Sequence, residues 1–429
     1  MTGAALGRLL ADEGPRVLAT LARVTGSLDV AQDAVQDAAL QALQCWSRDG
    51  VPPQPRAWLT VTARHRAIDL LRREARRASK ESDAVVLAEL RGPAVVPDDG
   101  VLHDDLLRLL FTCCHPSLPV ESQTAMALRT LCGMSTAEVA RALLVPEATM
   151  AKRLTRARRK IAVAGIPYRV PGPAELPGRL RGVLLTIYLL FNEGYSATGG
   201  EDPVRYELCG QAVRLTRLLV QVLPSEASPT GLLALLLLQD SRRAARLGSD
   251  GEVVLLPDQD RTRWDRGLVI EGLALLGAAL RRTPLRPDLY ATQAAVAACH
   301  ALAPTWEQTD WAAVTSWYDV LLTISDTPVV RLNRAVAVAE LSGPAAGLAA
   351  LDEVGPLPDY APLPAARAEL LHRLGRLAEA VAAWQEALSL PLNRAQRLHI
   401  DRRIRSTGPA SGWPPLDATS SCTVTQAKR

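Results

Sequence analysis

The sequence is poor in aromatic residues, 4% against 48% hydrophobic overall, and segments rich in Val, Ile and Thr are few. A composition dominated by Ala, Leu and Arg disfavours sheet and favours helix nearly throughout, so the expected fold class is all-α. Repeated Cys-x-x-Cys spacing is missing as well. The seven cysteines (45, 113, 114, 132, 209, 299 and 422) are scattered and odd in number, which points to neither a disulfide framework nor a zinc site and agrees with a reducing compartment. In "CCH" (113–115) the adjacent side chains would leave a helix about 100° apart, so buried small hydrophobes are expected rather than metal ligands. Nucleophile–base pairs, phosphate loops and metal spacings are absent too, so no catalytic residue, metal or cofactor is expected. No apolar run suits a signal peptide or a membrane span: "MTGAALGRLLADEGPRVL" offers none, and "GLLALLLLQD" (231–240) is too short. The expectation is a cytoplasmic protein without a membrane partner.

A chain of 429 residues exceeds one ordinary core, so two to four domains are expected. The net charge is only +4, but it is unevenly placed: residues 1–165 hold 22 Lys and Arg against 18 Asp and Glu, and the remainder is balanced at 27 each. The excess concentrates in "RHRAIDLLRREARRASK" (64–80), with seven cations against two acids, and in "VPEATMAKRLTRARRKI" (145–161), with six against one. An acidic stretch separates them. Two basic segments on separate small units look like two nucleic-acid contacts.

Around the second segment the local signals are specific. Gly133 can end the helix "VESQTAMALRTL", and Ser135 with Glu138 forms a capping box that starts the next one. That helix should end near Leu144, because Pro146 disfavours helical geometry in Val145 and is pre-shaped to open a new helix. In the new helix Met150, Leu154, Ala157 and Ile161 form an apolar stripe, while Lys152, Arg153, Arg156 and Arg159 lie away from it. This is the layout of a helix-turn-helix whose second helix enters the major groove. A solvated surface helix would show the same charges, but not the capped partner and the proline turn.

"MSTAEVARALLVPEATMAKRLTRARRKI" resembles region 4 of bacterial sigma-70 family factors, which reads the minus-thirty-five promoter element. "SLDVAQDAVQDAALQAL" (27–43) is similar to the region 2 helix that docks on RNA polymerase, and "PRAWLTVTARHRAIDLLRRE" (55–74) resembles the adjoining segments that open and read the minus-ten element. Only these two sigma modules are present, as in the extracytoplasmic-function (ECF) subgroup. "LLFTCCHPSLPVESQ", "IPYRVP" and "IYLLFNEGYSA" resemble a branch of it with a long C-terminal helical extension. The resemblance implies region 2 over 1–78, a linker over 79–104, region 4 over 105–165 and an extension over 171–405, and the composition of 406–429 is that of a disordered tail. The resemblance also implies core RNA polymerase and promoter DNA as partners.

Asp29, Asp33 and Asp37 recur every four residues beside Gln32 and Gln36, giving one acidic stripe. By the resemblance, Asp33, Gln36 and Asp37 are the polymerase-binding candidates, with Gln32 and Ala39 departing from the family's usual residues. Trp58, beside Arg64, Arg66, Arg72 and Arg73, supplies an aromatic and cations suited to holding an unstacked strand. A core anchor is the equal alternative for Trp58. Asp69 is expected to pair with a neighbouring arginine. Thr149, Lys152, Arg153 and Arg156 are the recognition-helix candidates. Ala151 stands where the family more often has a lysine, so promoter preference can differ.

The last part of the chain repeats. "TDWAAVTSWYDVLLTI", "GPAAGLAALDEVG" and "GRLAEAVAAWQEALSL" align on Trp317, Leu351 and Trp384, at intervals of 34 and 33 residues, the tetratricopeptide (TPR) period. Such arrays build surfaces for a regulatory protein or peptide, and also serve as structural caps. In "FNEGYSA" and "RTRWDRG", Glu193 and Trp264 are ligand-pocket candidates, against a simpler reading as a helix-ending turn with a packed tyrosine. A stand-alone helix-turn-helix regulator that senses a ligand through its C-terminal domain is the alternative to a sigma factor. It needs neither the acidic helix nor the Trp58 segment.

Overall fold

The computed structural model describes residues 3–77, 99–164, 171–172, 175–196, 204–248 and 254–407. Most of the expected linker (79–98) and the tail from 408 to 429 lie outside these. Among the described residues there are eighteen α-helices and three short 3-10 turns, with no strand.

Three helices form the N-terminal unit: α1 (Gly3–Thr25), α2 (Leu28–Asp49) and α3 (Pro55–Arg77). Ser27 caps α2 by accepting from Val30 N. Alanines 31, 34, 38 and 42 run down the inner face of α2 and are fully buried, so that α1 and α3 can approach closely. The second unit comprises α4 (Asp99–Cys113), α5 (Val120–Leu131), α6 (Thr136–Ala142) and α7 (Glu147–Ala164). Cys113 and Cys114 are buried and free, and burial pushes the Cys113 thiol up to about 12. No metal-holding group of His, Cys, Asp or Glu occurs among the described residues.

The extension begins with α8 (Pro177–Tyr195), α9 (Tyr206–Val222), α10 (Ala227–Asp240), α11 (Arg266–Arg282) and α12 (Leu289–Leu302). One hydrophobic core runs from Val17 through both small units to Ala298, so these five helices are joined to the helix-turn-helix rather than hung beside it. The seam lies between α5 and α8. There Arg179, 2% exposed, donates to Phe111 O at 3.1 Å. Gln123 holds the 115–118 turn through His115 O and Leu118 O, and a Cβ on Gly182 would strike its Oε1. The apolar run at 231–240 belongs to α10, whose residues from Thr230 to Leu238 are all buried. Among the described residues no helix is long and apolar enough to cross a membrane.

The remaining helices come as pairs: α13 (Trp311–Ile324) with α14 (Pro328–Ser342), α15 (Pro344–Asp352) with α16 (Pro362–Arg373), and α17 (Leu377–Ser389) with α18 (Arg394–Thr407). The first helix of each pair starts 33 residues after the previous one, as the TPR period requires. Leu351 and Trp384, in register in the sequence, are each 2% exposed and anchor two small cores of their own. Trp317 is only half-buried, because it lies at the junction with the large core. Gly347 permits the close approach of α15 to Ala339 of α14.

Candidate nucleic-acid interface

The capping box forms as the sequence spacing requires: Ser135 N donates to Glu138 Oε2 at 2.6 Å and Glu138 N to Ser135 Oγ at 3.2 Å. Gly133 ends the preceding helix at φ 61°. Helix α6 stops at Ala142, two residues before the expected boundary. Leu144 takes the left-handed conformation, φ 52°, that lets the chain turn before Pro146. Pro146 O then accepts from Thr149 N and Met150 N, opening α7. Met150, Leu154, Ala157 and Ile161 are all buried, which fixes the rotation of α7.

That rotation turns Thr149, Lys152 and Arg156 into solvent, with Arg153 half-buried between them. Together with Leu118, Pro119, Ser122 and Lys160 they line an open groove of about 370 Å³. No carboxylate lines it, so the groove is uniformly cationic. Ser122 and Lys160 are additions to the residues expected from the sequence. Lys160 was legible from its spacing, whereas Ser122 comes from α5 and only the fold brings it there. Behind the groove Arg129 donates to Met134 O at 2.7 Å and fixes the turn. Burial, then Arg158, lowers its pKa.

In the N-terminal unit Asp33, Gln36 and Asp37 lie along one face of α2, with Gln36 and Asp37 exposed and Asp33 also solvent-accessible. The same stripe meets the second unit at its upper edge. Gln32 Nε2 donates to Thr130 Oγ1 at 3.4 Å, and the pKa of Asp29 is raised by partial burial and by Asp33, with Arg158 of α7 opposing. Trp58 is half-buried and packs edge-on to Trp46, ring centroids 5.2 Å apart, so the core-anchor role is at least part of its work. Along α3, Arg66 and Arg73 are exposed and Arg64 is half-buried. Arg72 lies 3.8 Å from Asp69, so its charge is partly matched locally.

Glu193 and Trp264 do not share a pocket. Glu193 is 2% exposed and faces the end of α5, where its charge acts on Cys132. Trp264, 6% exposed, sits instead in the turn before α11, with the guanidinium groups of Arg242 and Arg261 near its ring. The glycine between Glu193 and Tyr195 lies inside the last turn of α8. A Cβ there would strike the backbone of α9, so Gly194 serves close packing.

Residues 9–77 match the Sigma-70 region 2 family and residues 108–161 the Sigma-70 region 4 family. Residues 179–280 match a family of unknown function, DUF6596. Over 91% of its length the chain is 42% identical to the uncharacterized protein R00370 of Rhizobium meliloti, covering 93% of that protein. It is 32% identical to the ECF RNA polymerase sigma factor SigL of Mycobacterium tuberculosis over 160 residues, which is 37% of this chain but 88% of SigL. The chain belongs to the ECF sigma factors. R00370 is matched over nearly the whole sigma factor, extension included. A thermophilic TPR protein of Thermus thermophilus, TTC0263, covers 47% of the sigma factor and 91% of its own chain at 21% identity and a TM-score of 0.34, below the level at which a shared topology follows.

Proposed function

We propose that this sigma factor binds core RNA polymerase through Asp33, Gln36 and Asp37, and promoter DNA through two surfaces. Arg64, Arg66, Arg72 and Arg73, with Trp58, serve the minus-ten element. Thr149, Lys152, Arg153 and Arg156 serve the minus-thirty-five element. The observation that carries the reading is the groove beside α7: its cations stand on a helix locked by four buried side chains, and no acid is among its lining residues. Guanidinium groups there can pair bidentately with guanine, while Lys152 and Lys160 act as point charges on phosphates.

The extension acts on the sigma units from the same chain, in the cytoplasm. Its first helices complete the core of region 4, and its repeat pairs offer a surface to a regulatory protein or peptide. Covalent attachment keeps this control element at an effective concentration on the order of millimolar. The reading is tested by selecting promoter fragments from a genomic library with core polymerase, with and without the full-length sigma factor. Enrichment of a shared two-element sequence only in its presence supports the assignment. Enrichment by the sigma factor without polymerase supports a stand-alone regulator instead.

A further inference from the structure

In the extension, outside both sigma units, cationic and aromatic side chains converge. Tyr195 ends α8. The Arg246 guanidinium lies 3.4 Å from the centre of the Tyr195 ring and donates to Tyr195 O. Arg242 donates to the Tyr195 hydroxyl and to Gln239, and stands 5.8 Å from the centre of the Trp264 ring. Arg261 stands 5.1 Å from the same ring and donates to His300 O and Ala303 O, each at 2.6 Å. Arg246 and Trp264 are 7% and 6% exposed.

Two features set this cluster apart from an ordinary packed joint. No carboxylate forms an ion pair with any of the three arginines among the described residues. The acid that acts on Arg261 from a distance is Glu307, which is exposed and engaged with Thr305 and its own backbone. Three buried nitrogens, Arg242 Nε, Trp264 Nε1 and His300 Nδ1, also lack any hydrogen-bond partner. The first two are obligatory donors, and buried donors in native proteins are nearly always satisfied. Uncompensated positive charge with unfilled donors calls for an acceptor that is itself charged. The positive field is felt locally: burial, then Arg242 and Arg261, pushes His300 down to about 4. Beside the cluster lies an open cavity of about 660 Å³ whose wall carries Asp240 and Asp265 as well as Arg243 and Arg263. Arg243 is paired with Asp240 at 2.8 Å, so the charge of that cavity is largely balanced and the uncompensated donors are those of the cluster itself.

We infer that this cluster binds a small oxyanion, a phosphate or carboxylate group, against Arg242 and Trp264. Because Tyr195 terminates the helix that packs on region 4 through Gly182 and Arg179, occupancy would brace the extension against the DNA-reading unit. That consequence rests on the reading of the extension as a control element; the binding does not.

The test uses the full chain, titrated with inorganic phosphate and, separately, with malonate, against chloride at equal ionic strength. Tryptophan fluorescence and melting temperature are the readouts. The inference expects a saturable response to at least one anion, and the choice between them names the class. Arg242→Gln and Trp264→Phe should each weaken it by about tenfold, one charge-assisted or buried hydrogen bond being lost. Arg153→Ala/Arg156→Ala, on the DNA face, should keep it. Absence of any saturable response in the parent would mean that water alone fills the site, and would overturn the inference. So would parental affinity in either cluster variant that circular dichroism shows to be folded, or a response lost only in the DNA-face variant.

Discussion

Arg23 of the first helix donates through Nε to the buried carboxylate of Asp105 at 3.1 Å, joining the two sigma units across 82 positions of sequence. Asp105 also has Arg108 at 3.7 Å. Removing one partner of a buried charge costs more than the pair contributes, because the remaining charge loses its compensation. Arg23→Ala should therefore destabilise the protein by about 1–2 kcal/mol, with Arg108 limiting the loss. Chemical denaturation of the full chain measures this. An unchanged midpoint would show that the two units are not held by this pair.

Replacing Arg153 or Arg156 with Ala should weaken promoter binding by about 1–3 kcal/mol where the side chain reads a base, and leave affinity for core polymerase intact. Filter binding with promoter DNA and with polymerase separates the two activities. Parental DNA affinity in both variants would put the reading face elsewhere.

Charge reversal at Asp33 and Asp37 should weaken association with core polymerase most at low salt, since exposed charges are screened within about 10 Å at 0.1 M salt. Neither side chain is buried, so the melting temperature should not change. Equal polymerase affinity at low salt would reduce the stripe to a solvated face.

His300 carries a pH prediction with a definite sign. Its folded pKa, about 4, lies below the ordinary 6.5. An unfolded chain takes up the proton first as pH falls. The neutral imidazole's contribution is thus fully present above about 6.5 and is lost as pH falls towards 4, by an amount on the order of 2–3 kcal/mol. In His300→Phe, which can keep the stacking on Trp306 and the edge-on contact with Trp311, this part of the acid loss should disappear. Identical pH profiles for the two proteins would show that His300 is freely protonated.

Gly182 tests the seam between region 4 and the extension. Gly182→Val forces Gln123 away from His115 O and Leu118 O, at a cost of about 1–3 kcal/mol. Transcription should fall with stability, as it should after truncation beyond Ile161, which uncovers the α5 surface that α8 buries. Full activity in a soluble truncated chain would show that the extension neither supports nor controls region 4.

Much of the architecture was legible because it is written in local signals. Ser135 and Glu138 are three residues apart, the stripe from Met150 to Ile161 spans three turns, and the TPR period repeats within one segment. Each acts through neighbours in sequence. Long-range packing was not legible. Nothing near Gly182 announces Gln123, and nothing near Arg23 announces Asp105. Nothing in the sequence near Glu193 or Trp264 shows that the first, on α8, faces Cys132 while the second, in the turn before α11, lies among arginines. Nor does the sequence around the arginines at 242, 246 and 261 announce Tyr195 and Trp264, onto which the fold brings them.

Whether this chain confers promoter choice on RNA polymerase is decided by run-off transcription with purified core polymerase on the selected fragments. Transcripts of defined start should require the full chain, fall sharply with Arg153→Ala/Arg156→Ala and fall at low salt with Asp33 and Asp37 reversed. Polymerase that starts no transcript with the folded protein, or starts the same transcripts without it, would mean that this chain does not direct promoter choice.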